Sequence, residues 1–287
     1  MADKPKQQIL VPYDYTTVAK NALQCGIRMA RIFNCEISIV YAVSRREAKT
    51  WTQWDHAKAE IRKKLIPVAN DVISKQGINT SVYVFKGQID HVISTFYERI
   101  NAIMMVAGFN AQGKEKNAFF SLKSIINKFR ELRIPILVVQ DISHEGNMFQ
   151  NIIMPVDFNK EAKEKSSWAG FFSKLNRSRI YLVSRTYRDP FFAAQIKNNL
   201  TSIKKLFDTA EVVFEEKNAG TIRGSIDRFA LDFARANNGD MLILMATPER
   251  GIDDYFIGPP EKRIIAAARD IPVLLLNPRD DLYLPCV

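Results

Sequence analysis

The stretch DMLILMATPERGIDDYFIGPPEKRIIAAARDIPVLLLNP, residues 240–278, decides the fold. Residues 241–245, MLILM, form a continuous apolar run of the length of a strand buried on both faces. Residues 246–257 carry Pro, Gly and the paired Asp253-Asp254, which are loop signals. Residues 259–269 set Ile264, Ile265 and Ala268 among charges, as on an amphipathic helix. Ile271-Pro272 then opens a second apolar strand at 273–276, and the start is the place where a buried strand tolerates proline. Strand, loop, helix and strand, with both strands wholly apolar, make a parallel βαβ unit.

The same unit occurs earlier, at 103–140. Ile134-Pro135 matches Ile271-Pro272, and Ile89-Asp90 matches Ile226-Asp227, both 137 residues apart. The opening ILVPYD at 9–14 matches IIMPVD at 152–157, 143 residues apart, and Val43-Ser44-Arg45 matches Val183-Ser184-Arg185, 140 apart. A spacing that drifts from 143 to 137 fits two short deletions in the second copy. A period of this size is whole-domain duplication, not a solenoid. The expected domains are residues 1–143 and 144–287, joined by the polar stretch 141–150.

In the first copy the pattern predicts strands at 8–11, 36–43, 80–86, 102–107 and 136–139. Helices are predicted to 33 from a cap at Thr16 or Thr17, at 51–75 with Pro67 splitting or kinking it, at 88–101, and at 119–130. The second copy repeats the order: strands at 151–154, 179–184, 211–217, 241–245 and 273–276, and helices at 160–175, 190–207, 225–237 and 259–269. The fold class that follows is α/β: two tandem doubly wound domains, each a five-stranded parallel sheet with flanking helices. The last strand of each copy is a sheet edge with backbone to cover, so the halves are expected to pair through 136–139 and 273–276 as an internal pseudo-dimer.

Composition narrows the function. An apolar fraction of 47% in 287 residues supplies two cores. No apolar run reaches membrane-spanning length, and MADKPKQQ does not read as a signal peptide. Cys25, Cys35 and Cys286 are scattered and odd in number, which points to a reducing, cytoplasmic setting rather than a disulfide framework. His56, His91 and His144 form no metal-ligand pattern. Residues 1–144 hold 21 Lys+Arg against 12 Asp+Glu and residues 145–287 hold 20 against 19, so the halves carry +9 and +1. With no dense basic run or nucleic-acid motif, this charge reads first as a solubilising surface.

Ligands of doubly wound sheets sit at the carboxyl ends of the strands where the strand order reverses. The turns there begin at Pro12, Val43 and Gly108 in the first copy, and at Pro155, Val183 and Met245 in the second. Arg45 and Arg185 are placed to meet a phosphate or carboxylate, or else to stand as surface charge. Asp14 and Asp157 are placed to cap the following helices. Residues 108–115, GFNAQGKE, almost spell a Walker A loop. The closing Ser/Thr is Glu115, however, and the loop follows the fourth strand rather than the first. Gly113 and Lys114 remain placed to hold some other phosphate.

The ILVP-x-D opening, the glycine-ended fourth strand and the IPVL final strand, recurring twice in order, resemble the universal stress protein family, and the duplication resembles its tandem members. ATP-binding members share a phosphate loop of Gly, two residues, Gly, nine residues, Gly and then Ser or Thr, whose glycines let backbone amides approach phosphate. Laid on this chain, the pattern falls on Gly108, Ala111, Ser121 and Leu122 in the first copy, and on Met245, Pro248, Gly258 and Pro259 in the second. One position fits in each, and Pro259 has no amide hydrogen to give. Asp14 and Asp157 match the acidic residue that lies near the nucleotide in such members. The resemblance implies a cofactor-binding set of Asp14, Arg45, Gly108, Asn110, Gly113, Asp157, Arg185 and Gly258, with ATP, another nucleotide or an anion as ligand class. The departures imply a degenerate crevice.

No nucleophile elbow, Cys–His pair or placed acid–base pair appears. The reading is a non-enzymatic stress-response module, with a nucleotide-binding protein of slow ATPase activity as the alternative and a phosphate-handling enzyme as a third. No cofactor, membrane or nucleic-acid partner is assigned, and the protein partner is not legible in the chain.

Overall fold

The computed structural model of the chain describes residues 6–45, 47–111, 119–121, 124–125, 132–141, 148–159, 163–245 and 260–277. The chain divides into two compact units with the boundary between Gln140 and Asp141. The first runs β1 (Gln8–Pro12), α1 (Thr17–Phe33), β2 (Glu36–Val43), α2 (Trp51–Gln76), β3 (Thr80–Lys86), α3 (Ile89–Phe96), β4 (Ala102–Gly108) and β5 (Ile136–Val139). Its strands lie in the order β3-β2-β1-β4-β5, and every pairing is parallel.

The second runs β6 (Asn151–Pro155), α4 (Glu164–Asn176), β7 (Arg179–Ser184), α5 (Pro190–Thr209), β8 (Phe214–Asn218), α6 (Ile226–Ala236), β9 (Met241–Met245), α7 (Pro260–Ala267) and β10 (Val273–Leu276). Its order, β8-β7-β6-β9-β10, is the same topology, again all parallel. The strand order reverses at β1/β4 in one unit and at β6/β9 in the other.

Local chemistry explains the boundaries. Thr16 is the N-cap of α1, its hydroxyl accepting from Ala19 N at 3.2 Å. Asn34 and Arg177 end α1 and α4 in the left-handed region, φ 51° and 56°, and their separation keeps the 143-residue offset of the openings. Thr50 and Gln53 form a capping box for α2. That helix passes through Pro67 unbroken, a correction to the expected split. Pro67 is exposed, so water can take the Lys63 carbonyl that has lost its amide partner.

Two predicted ends shift. α3 stops at Phe96, because the chain turns back with Ala102 N donating to Tyr97 O at 2.9 Å and Asn101 at φ 52°. β8 starts at Phe214 rather than 211, because Glu211 and Val212 complete the end of α5, with Val212 N on Phe207 O at 2.9 Å. The predicted helix at 119–130 lies largely outside the described residues.

β4, β5 and β10 bury every residue or nearly every one, as their continuous apolar sequences require. At the opposite end of the sheet from the crevice, Asp240 fastens β6, accepting from Gln150 N at 2.7 Å and Asn151 N at 3.0 Å.

Candidate functional site

In the first unit the crevice begins with Asp14, two residues past the end of β1. Its Oδ1 accepts the backbone N–H of Thr16 at 3.1 Å and the Thr16 hydroxyl at 2.5 Å. Its Oδ2 accepts the backbone N–H of Phe119 at 2.6 Å. Both carboxylate oxygens are therefore engaged by the chain itself. The Phe119 ring meets Tyr41 edge-on, with centroids 5.0 Å apart, and Tyr15 lies between Tyr41 and Tyr13, at 6.0 and 5.3 Å. Tyr15 holds φ 65°, a left-handed conformation that costs an aromatic residue energy.

Burial, then a hydrogen bond to Glu47, pushes the Tyr41 phenol well above its ordinary range. Glu47 Oε1 takes the Tyr41 hydroxyl at 2.7 Å, while its Oε2 takes Ser44 N at 2.8 Å and Ser44 Oγ at 2.7 Å. The turn after β2 is thus tied to the aromatic group.

Gly108 ends β4, and its need for glycine has a local cause. A Cβ there would lie 2.5 Å from the carbonyl oxygen of Val18 and 2.8 Å from Ala19 N, in the first turn of α1. The helix sits directly on the strand end. Asn110 is half-buried beyond it, and Arg45 is exposed. Gly113 and Lys114 lie outside the described residues.

The second crevice is built from charge. Asp157 repeats the turn of Asp14: Oδ1 accepts Asn159 N at 3.1 Å and Oδ2 accepts Asn159 Nδ2 at 2.8 Å. The buried Asn199 amide holds this turn, donating to Asp157 O at 2.9 Å and Asn159 O at 2.8 Å. Phe158, Tyr187 and Phe192 pack together, with centroids between 4.4 and 5.8 Å apart. Arg185 Nη1 donates to Gly224 O at 2.6 Å and Nη2 to Ile222 O at 2.8 Å, and its guanidinium lies 4.7 Å over the Tyr187 ring. It is a brace for the loop before α6. Gly258 lies outside the described residues.

Lys165 is the residue that sequence reading missed. It stands 143 residues after the buried Ala22, so where α1 presents a methyl group to the core, α4 presents an ammonium. Only 3% of Lys165 is exposed, and its Nζ donates to Pro155 O at 2.5 Å, at the end of β6. Burial lowers its pKa, while Asp157 and Asp227 act in the opposite sense. Burial pushes Asp227 up to about 6, against the pull of Lys165 and with the repulsion of Asp157 and Glu261. The available signal was a lysine on the core stripe of a repeated helix. Among the described residues no group of three or more His, Cys, Asp or Glu has a metal-binding arrangement, and no helix is long and apolar enough to cross a membrane.

With this geometry in hand, comparison with known proteins places the chain. The universal stress protein family model matches residues 6–140. A universal stress protein from Archaeoglobus fulgidus DSM 4304 is similar over 94% of this chain and 98% of its own, with 13% identity and a TM-score of 0.71. A putative universal stress protein from Pseudomonas aeruginosa UCBPP-PA14 is similar over 96% and 94%, with 13% identity and a TM-score of 0.61. A functionally unknown protein from Pseudomonas aeruginosa PAO1 is similar over the same shares, with 13% identity and a TM-score of 0.60. Comparison with curated proteins gives no match. The universal stress protein family model thus matches the first unit, and the second unit repeats that unit's strand order.

Proposed function

We propose that the protein is a non-enzymatic stress-response module whose two nucleotide crevices have been taken over by its own side chains. The observation that carries this reading is the carboxylate of Asp14, engaged on one oxygen by Thr16 and on the other by the backbone of Phe119. A ribose or phosphate group entering there would have to displace a charge-assisted hydrogen bond and the Phe119–Tyr41 contact behind it. Gly108 supports the same reading, because packing against Val18 accounts for it without a phosphate. In the second unit Lys165 holds the end of β6, and Arg185 is committed to two carbonyls.

Losing two charge-assisted hydrogen bonds, each about 1.5–3 kcal/mol, weakens a nucleotide by about two orders of magnitude or more. Native mass spectrometry of the purified protein tests the proposal. The expected spectrum is that of the bare chain; an adenine nucleotide at near one per chain would overturn it.

A further inference from the structure

β3 and β8 end the strand orders of their units, with β2 and β7 as their neighbours among the described residues. An edge strand offers its outer N–H and C=O groups to any other strand, and sheets blunt that with charge, proline or bulges. β8 is blunted by charge. Its sequence FEEKN carries Glu215 and Glu216, which pair with Arg179 and Lys204, each at 2.7 Å. β3 is open by comparison. Its sequence TSVYVFK holds no proline and no charge before Lys86, and it lies on β2 in an unbroken register. The Lys86 ammonium is drawn over the Trp51 ring, 3.9 Å from the centroid.

The outward groups of β3 follow from its ladder. Ile37 N donates to Asn79 O and Gly87 N to Val43 O, each at 2.9 Å. Parallel pairing alternates, so Ser81, Tyr83 and Phe85 turn their backbone groups to β2, while Thr80, Val82, Val84 and Lys86 turn theirs out. The side chains alternate as well. Val84 packs against Val43, Ala48 and Trp54. Tyr83 and Phe85 stand on the other face, half-buried, each with its ring centroid 4.7 Å from that of Phe96.

We infer that β3 is a self-association edge, at which a second copy of the chain pairs antiparallel through its own Thr80–Lys86 about a two-fold axis at Tyr83. This centre pairs all seven residues of the strand. It sets Val82 of one copy against Val84 of the other and Thr80 against Lys86, and these outward residues exchange about eight backbone hydrogen bonds in all. Tyr83 meets Tyr83 at the axis, a non-hydrogen-bonded position where side chains come closest, and Phe85 lies diagonal to it. The two Lys86 residues stand about 20 Å apart, at opposite ends of the ribbon. β8 fails the same operation, because an axis at the centre of 214–218 sets Glu216 against Glu216. The self-matched register selects a second copy over a foreign strand. The net charge of +10 on each copy opposes the contact, so it is weak and strengthens as salt screens that repulsion.

Sedimentation velocity of the full-length protein between about 5 and 200 μM tests this. The weight-average mass should climb from that of one chain toward that of two, more steeply at about 500 mM salt than at about 50 mM. Val82→Pro removes an outward N–H and leaves the bonds to β2 in place, at a position where an edge strand tolerates proline. It should keep the circular dichroism of the parent and lose the association. Tyr83→Lys and Tyr83→Glu decide the matter where the proline variant does not fold. Each alone should stay monomeric, because like charges meet at the axis, and an equal mixture of the two should associate. A parent chain that stays monomeric at about 200 μM, a dimer that dissolves with added salt, a dimer that Val82→Pro leaves intact, or a mixture that associates no better than its parts would overturn the inference.

Discussion

The backbone N–H of Phe119 donates to Oδ2 of Asp14 at 2.6 Å across 105 residues of chain, and this bond joins the loop after β4 to the turn after β1. The other oxygen of the same carboxylate orients the Thr16 cap of α1. Asp14→Ala removes an acceptor from both and leaves two N–H groups short of a partner. It should cost about 1–3 kcal/mol in urea unfolding. Arg45→Ala, at an exposed strand-end site, should change stability by less than about 0.5 kcal/mol in the same assay. Equal costs would remove the special role given to Asp14.

Gly108 and Gly170 make opposite predictions for one substitution. An alanine methyl at 108 meets the Val18 backbone at 2.5 Å, and backbone cannot swing aside as a side-chain tip can. Gly108→Ala should destabilise the protein by about 1–3 kcal/mol or more. At Gly170, inside α4, the methyl would meet only Val212 Cγ2 at an ordinary 3.8 Å. Gly170→Ala should stabilise by about 0.5–1 kcal/mol through helix propensity. Thermal unfolding of the two variants checks both signs.

Arg185→Lys keeps the charge and loses the fork. An ammonium cannot span Gly224 O and Ile222 O and stack on Tyr187 at once. Hydrogen exchange at 219–225 should speed up by about tenfold, corresponding to loss of about 1.4 kcal/mol locally, while β1–β5 keep their protection. Uniform loosening of both units would contradict the local brace.

Burial pushes the Cys25 and Cys35 thiols up to about 12. Thiolate is the reactive form, so at pH 8 neither should react with a disulfide reagent in the folded chain. In a Cys286→Ser background the expected count is zero before denaturation and two after it. Rapid reaction in the folded state would show that α1 or the start of β2 opens readily.

Much of the fold was legible because it rests on repeated local chemistry. Ile134-Pro135 and Ile271-Pro272 each open a wholly apolar final strand, and Thr16 caps α1 as its position implied. Pro67 does not split α2, because a single proline weighs less than a capping box and a helix packed on the core by Trp54, Leu65, Ala69 and Val72. The sites were legible only in part. Asp14 was visible as a strand-end acid, but its partner lies 105 residues away and no periodicity connects them. Lys165 sits among charged neighbours in EAKEKSS, so only its place opposite Ala22 in the repeat marks it as interior. Gly108 stood out for its residue type, yet that type answers to the backbone of α1.

Titration calorimetry of Mg-ATP into the full-length protein tests the self-filled crevices most directly. The account predicts no binding tighter than about 100 μM, roughly −5.5 kcal/mol, and no change on Asp14→Asn or Asp157→Asn. A micromolar or tighter constant, lost in either variant, would contradict it.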